Sequence, residues 1–159
     1  GVLMDAARRL EEKRDDYHIK ITHFDTAFRG PRMSSVGWLS HEETFAYYEQ
    51  SDICVVPSVW REPFGLVAVE AMAAGLPVCA SDIGGLRDIV VHGETGFLFP
   101  PGDGKKLAAK IERLLDDAAL RGAMGNAGYE RVLALYTWDA VVERHYLPMF
   151  ATFRKGKTG

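Results

Sequence analysis

The chain has 159 residues, 47% apolar and 26% charged, ordinary globular values that exclude a disordered or low-complexity chain and suit one domain with one core. With 19 basic and 22 acidic side chains its formal net charge is −3, which excludes a nucleic-acid partner held by a cationic surface. No apolar run approaches the ~18 residues of a membrane helix.

Leu3, Ala6, Ala7 and Leu10 recur at helical spacing and predict a helix over 2–14. Asp5, Arg8 and Arg9 interrupt this opening, so it does not read as a signal peptide. The sequence opens on Gly1 inside the amphipathic pattern, and we read it as a piece of something longer. His18 to Phe24 predicts a strand, Thr26 to Met33 a loop around Gly30-Pro31, and Val36 to Leu39 a second strand. Ser40 and Glu43 form a capping-box pattern that starts a helix to about Gln50. Ile53 to Val56 is an apolar run closed by Pro57-Ser58, the pattern of a strand buried on both faces.

A helix over 64–74 follows, stopped by Gly75, and then a second wholly apolar strand over 77–80. Gly84-Gly85 and His92-Gly93 punctuate a loop region around a short helical turn, before a strand over 96–99. Asp103 caps a helix whose core face is Leu107, Ala108, Ile111, Leu114 and Leu115. A helix over 118–134 comes next, and Thr137 caps a last one running towards Phe150. Residues 1–150 therefore read as one domain and 151–159 as a frayed tail.

Strands alternate with helices, and the two clearest strands lack polar alternation. This predicts an α/β, Rossmann-like domain with a mostly parallel sheet flanked by helices. Ligands of such sheets bind beyond the carboxyl ends of strands, here the loops after Leu39, Val56 and Ala80.

The loop after Val56 carries the chemistry. It runs through Trp60, Arg61, Glu62, Pro63 and Phe64 to Gly65 and Leu66, and enters a helix containing Glu70. Unpaired amides at that helix start suit a phosphate over Gly65 and Leu66, and Gly65 lets the backbone approach closely. Glu70 suits the vicinal diol of a ribose, and Glu62 is placed to reach a sugar hydroxyl beyond the phosphates. The bland alternative stays open on spacing alone, because a glutamate near a helix start also serves the helix dipole.

The run from Glu62 to Val78 resembles the E-x7-E signature of group 1 (family 4) retaining glycosyltransferases. Ser81-Asp82-Ile83-Gly84-Gly85 resembles the family's glycine pair, Gly93 to Leu98 with Pro101-Gly102-Asp103 its following segment, and Trp138 the aromatic opening its closing helix. The resemblance runs from Gly1 to about Phe150. It implies half of a GT-B architecture, the C-terminal domain that holds a nucleotide-sugar donor. It also implies a catalytic Glu62, Glu70 on the donor ribose, and backbone amides near Phe64, Gly65 and Leu66 on sugar and diphosphate. The backbone around Leu39 would contact the nucleobase. The family is generally metal-independent, and no D-x-D motif occurs here. Transfer would retain the anomeric configuration, with helix amides in place of a metal on the leaving diphosphate.

Three departures from the pattern carry expectations. The family's first strand, with its diphosphate-gripping Arg and Lys, would precede Gly1, so the sheet must leave a gap or close up differently. The link between the strands over 18–24 and 36–39 is short for a parallel crossover, and His23-Phe24-Asp25 replaces a glycine-rich turn. The N-terminal acceptor domain is absent from the sequence, so part of the final helix's apolar face is expected to be exposed and the chain alone to be inactive. Alternatives are a non-catalytic nucleotide-sugar binding module, or a subunit of a split transferase. The five histidines show no ligand spacing. Cys54 and Cys79 read as buried hydrophobes, which suits a reduced, cytoplasmic compartment. A lipid-linked acceptor would add a membrane surface as partner.

Overall fold

Two parallel sheets, not one, organise the chain in a computed structural model that describes residues 1–22 and 30–147. His23, Phe24 and Asp25, residues 26–29 of the loop over 26–33, Phe150 and the tail 151–159 lie outside the described residues. The elements in order are α1 (Val2–Glu11), β1 (Ile19–Ile21), β2 (Met33–Ser35), α2 (His41–Glu49), β3 (Cys54–Val56) and α3 (Leu66–Ala73). There follow β4 (Val78–Ser81), α4 (Leu86–Ile89), β5 (Gly96–Phe99), α5 (Gly104–Asp116), α6 (Ala118–Leu135) and α7 (Trp138–Val141), which runs into a π-helical turn over Val142–Tyr146.

β4 is the centre of a three-stranded sheet, paired in parallel with β3 on one side and β5 on the other. Its four residues are all buried, as expected of a strand covered on both faces. Alternation along the strands divides the core. Val78, Ala80 and Leu98 face Ala68, Met72, Leu86, Ile89 and Val132 on α3, α4 and α6. Cys79, Phe97 and Phe99 face Ala6, Leu10, Leu107, Ile111 and Leu114 on α1 and α5. Helices therefore cover both faces, the α/β layering predicted from the sequence.

β1 and β2 form a separate parallel pair, Ile19 opposite Met33 and Ile21 opposite Ser35. Between this pair and β3 lies a cavity of about 340 Å³, whose walls include Lys20 and Thr22 on one side and Cys54 and Val55 on the other. The sheet expected to lack its first strand thus keeps a gap there. Among the described residues no strand bridges it.

Several predicted boundaries move. The second strand is Met33–Ser35, not 36–39. Val36 donates the last backbone bond to Ile21 at 2.9 Å, and Gly37 at φ +76° then breaks the extended path. Leu39 therefore ends no strand. α3 starts at Leu66, because Gly65 is left-handed at φ +98° and stands outside the helix. The first helix stops at Glu11 rather than Arg14. Arg14 instead bonds Asp16 and Asp116, and that guanidinium holds the Asp16 carboxyl down to about 2.

The predicted caps form. Ser40 and Glu43 make a reciprocal capping box on α2, Asp103 accepts from the Lys106 amide at 2.8 Å, and Thr137 accepts from the Ala140 amide at 3.2 Å. Trp138 is exposed, as are Val142, Tyr146 and Leu147 beyond it, so the described part of the closing segment leaves apolar surface open as expected. Among the described residues no helix is long and apolar enough to cross a membrane.

The split sheet predicts uneven protection in hydrogen exchange. Amides of β4 exchange only with global unfolding, and those of β1 and β2 at least about a hundredfold faster, through local opening. Equal rates by mass spectrometry would contradict the separation.

Candidate active site

The site is built where the loops after β3 and β4 lean on one another. After Val56 the chain passes buried Ser58 and exposed Trp60 and Arg61, then reaches half-buried Glu62. The Gly85 amide donates to the Glu62 carbonyl at 2.8 Å. A Cβ on Gly84 would run into the Glu62 backbone, and one on Gly85 into the Phe64 backbone. The glycine pair is thus a mould in which residues 62–64 are cast, a requirement of backbone contact that the pattern by itself does not explain.

Gly65 then turns the chain into α3. Its left-handed backbone is free to glycine, and a Cβ there would lie 2.8 Å from Leu86 Cδ2 and 3.2 Å from Ile89 Cδ1. α4 is held in turn by Arg131, whose guanidinium donates to the Asp88 and Ile89 carbonyls at 2.7 and 3.0 Å. The first amide bonded back into α3 is Ala68, to the Gly65 carbonyl at 2.9 Å. No side chain caps the helix and no acidic residue occupies its first turn. Leu66 and Val67 are exposed, so this uncapped helix start faces outward with its first amides turned away from the core.

Glu70 sits one turn further on, mostly buried. The Tyr48 hydroxyl donates to its Oε2 at 3.4 Å, and His41 Nδ1 lies 3.9 Å from its Oε1. Burial, reinforced by the charge of Glu70, pushes the Cys54 thiol up to about 12. Burial likewise raises Tyr48 above its usual range. Cys79 is wholly buried and is also raised to about 12, by burial first.

Leu39 and Glu70 line the same cavity, the one between the sheets, together with Trp38, Tyr48 and Val67. The structure thus brings the segment expected at the nucleobase beside the carboxylate expected at the ribose. Glu62, Phe64, Gly65 and Leu66 do not line it; they form the moulded loop that leads to it. Sequence reasoning missed Tyr48 and Trp38. The spacing of His41, Phe45 and Tyr48 along one face of α2 was the available signal. A larger hollow of about 690 Å³ between α6 and α7 contains none of these residues. Among the described residues no three His, Cys, Asp or Glu side chains gather to hold a metal.

If Gly84-Gly85 is the mould, Gly85→Ala costs about 1–3 kcal/mol of stability through overpacking against Phe64. Urea denaturation measures this, and an unchanged midpoint would show that the loop does not depend on the pair.

The model of the family described as "Glycosyl transferases group 1" matches residues 30–131. Glycogen synthase of Mycobacterium tuberculosis H37Rv is 42% identical over 106 residues, which are 67% of this chain and 25% of that protein. Sucrose-phosphate synthase from Thermosynechococcus elongatus superimposes with a TM-score of 0.76 at 36% identity, over 98% of this chain and 42% of that one. Anabaena HepE in complex with UDP-glucose superimposes with a TM-score of 0.63 at 28% identity, over 79% of this chain and 33% of that one. The chain spans about a quarter of the length of the curated relative. The moulded Glu62 loop, the open start of α3 and the parallel sheets thus belong to a chain of the group 1 glycosyl transferases, with the Rossmann-like fold of one half of a GT-B enzyme.

Proposed function

We propose that this chain is the donor-binding half of a glycosyltransferase that moves a sugar from a nucleoside diphosphate to an acceptor with retention of anomeric configuration. The observation that carries this is the placement of the Glu70 carboxylate and the Leu39 segment in one cavity, one helical turn from the uncapped start of α3. The nucleobase lies along the backbone around Leu39, and the ribose hydroxyls donate to Glu70. The amides of Gly65 and Leu66, with that of Phe64, take the diphosphate and sugar oxygens. Helix amides favour the negative charge that grows on the leaving diphosphate, and no metal ion is needed for that task.

Glu62 faces the transferred sugar and is the catalytic carboxylate. The bond from the anomeric carbon to the phosphate oxygen breaks while the acceptor oxygen attacks from the same face. The acceptor's proton passes to that departing phosphate oxygen. The acceptor is held by a second domain, so this chain alone binds donor without turning it over. A nucleotide-sugar substrate also fits the cytoplasmic setting expected from the two reduced cysteines. HepE, solved with UDP-glucose, supports the class of donor.

Titration of the chain with UDP, ADP and GDP in an isothermal calorimeter tests the reading. One of them is expected to saturate a single site, and Glu70→Gln to weaken it about tenfold to a hundredfold, the worth of one charged hydrogen bond. Glu62→Gln leaves nucleoside diphosphate binding within about twofold, because its partner is the sugar. Absence of binding for all three nucleotides in a chain extended upstream through the diphosphate-gripping Arg and Lys, or an unaffected Glu70→Gln, refutes the assignment.

A further inference from the structure

We propose that His41, Phe45 and Tyr48 form an aromatic ladder on α2 that grips the Glu70 carboxylate, Tyr48 by a hydrogen bond to one oxygen with His41 standing beside the other, and thereby sets how strongly the site prefers ribose over deoxyribose. The inference rests on reading Glu70 as the acceptor of the ribose hydroxyls. It assigns Tyr48 and His41 as positioning residues, which act through Glu70.

The three rings lie at i, i+4 and i+7 and so share one face of the helix. His41 meets Phe45 edge to face, with centroids 4.9 Å apart and planes at 81°. Phe45 meets Tyr48 in the same way, at 5.9 Å and 87°. This is the preferred arrangement of aromatic quadrupoles, and each ring restrains its neighbour. Both ends of the ladder reach the same carboxylate. The Tyr48 hydroxyl donates to Oε2 at 3.4 Å, and His41 Nδ1 stands 3.9 Å from Oε1.

A glutamate alone on a helix turns about three side-chain bonds and presents its oxygens in many directions. A vicinal diol needs them in one. A carboxylate offers about four lone-pair directions, so a bond from Tyr48 uses one and leaves the others for the two hydroxyls. The ladder is itself fixed from below. The Ser40–Glu43 capping box, with bonds of 2.7 and 3.2 Å, sets the first turn that carries His41. Tyr48 packs against the core at the other end. Leu39 immediately precedes the cap, so one anchor places the base segment and the carboxylate grip together.

Tyr48→Phe keeps the ring, its stacking and its burial and removes only the donor. The readout is the ratio of dissociation constants for 2′-deoxy-UDP and UDP, or the matching ADP or GDP pair if that base binds tighter. The wild-type chain is expected to favour the ribonucleotide. Tyr48→Phe lowers the ratio about threefold to tenfold, by weakening the ribonucleotide while the deoxy analogue stays within about twofold. Glu70→Gln abolishes the preference. His41→Phe replaces an exposed ring, which protects the measurement should Tyr48→Phe fold poorly. It lowers the same ratio about twofold.

If Glu70→Gln removes the preference and neither ladder variant changes it, the grip is wrong and the donor-site reading stands. The grip is equally wrong if both nucleotides weaken to the same extent in Tyr48→Phe, since that marks a merely structural tyrosine. If the wild-type chain shows no preference, or Glu70→Gln keeps it, the assignment of Glu70 falls and the ladder's role falls with it.

Discussion

The site depends on one close backbone approach, that of Gly84-Gly85 to Glu62 and Phe64. The contact works because both sides are anchored elsewhere. β4 is paired on both edges and buried on both faces, so the loop that follows it starts from a fixed point. The Asp82 amide adds a bond of 2.7 Å to the Phe99 carbonyl, and Arg87 ties back to the Asp82 carboxylate at 2.6 Å. From there the fixed geometry passes to residues 62–64 and through Gly65 to the amides of α3. A loop that must hold one shape needs such support, since irregular backbone has no ladder of its own.

Much of this was legible in the residues because the signals are local. The apolar runs 53–56 and 77–80 marked strands covered on both faces, and they are β3 and β4 with boundaries shifted by one residue. The caps at Ser40, Asp103 and Thr137 are short-range hydrogen bonds, and all three form. Elsewhere a longer-range partner decided. The run Val36 to Leu39 has the better strand composition, yet Met33–Ser35 is the strand because β1 supplies its register and Gly37 ends the extended path.

The candidate site divides in the same way. Glu62, Gly65 and Glu70 stood out by spacing around one loop and one helix. The company Glu70 keeps did not, because Tyr48 and His41 come from a helix that reaches it only through the tertiary fold. The glycine pair was visible as a resemblance, and its physical reason appeared only when a side chain at either position was seen to collide with the loop opposite.

Among the described residues, the gap between the sheets leaves peptide groups on the facing edges of β1 and β3 without a strand partner. Long open edges invite pairing with stray chains. Here each edge strand has only three residues, and both flank a cavity walled by α2 and α3 side chains. An incoming strand would find room for few ladder bonds before meeting a helix. Brevity and recess therefore do the work that lysines or prolines do on other exposed edges.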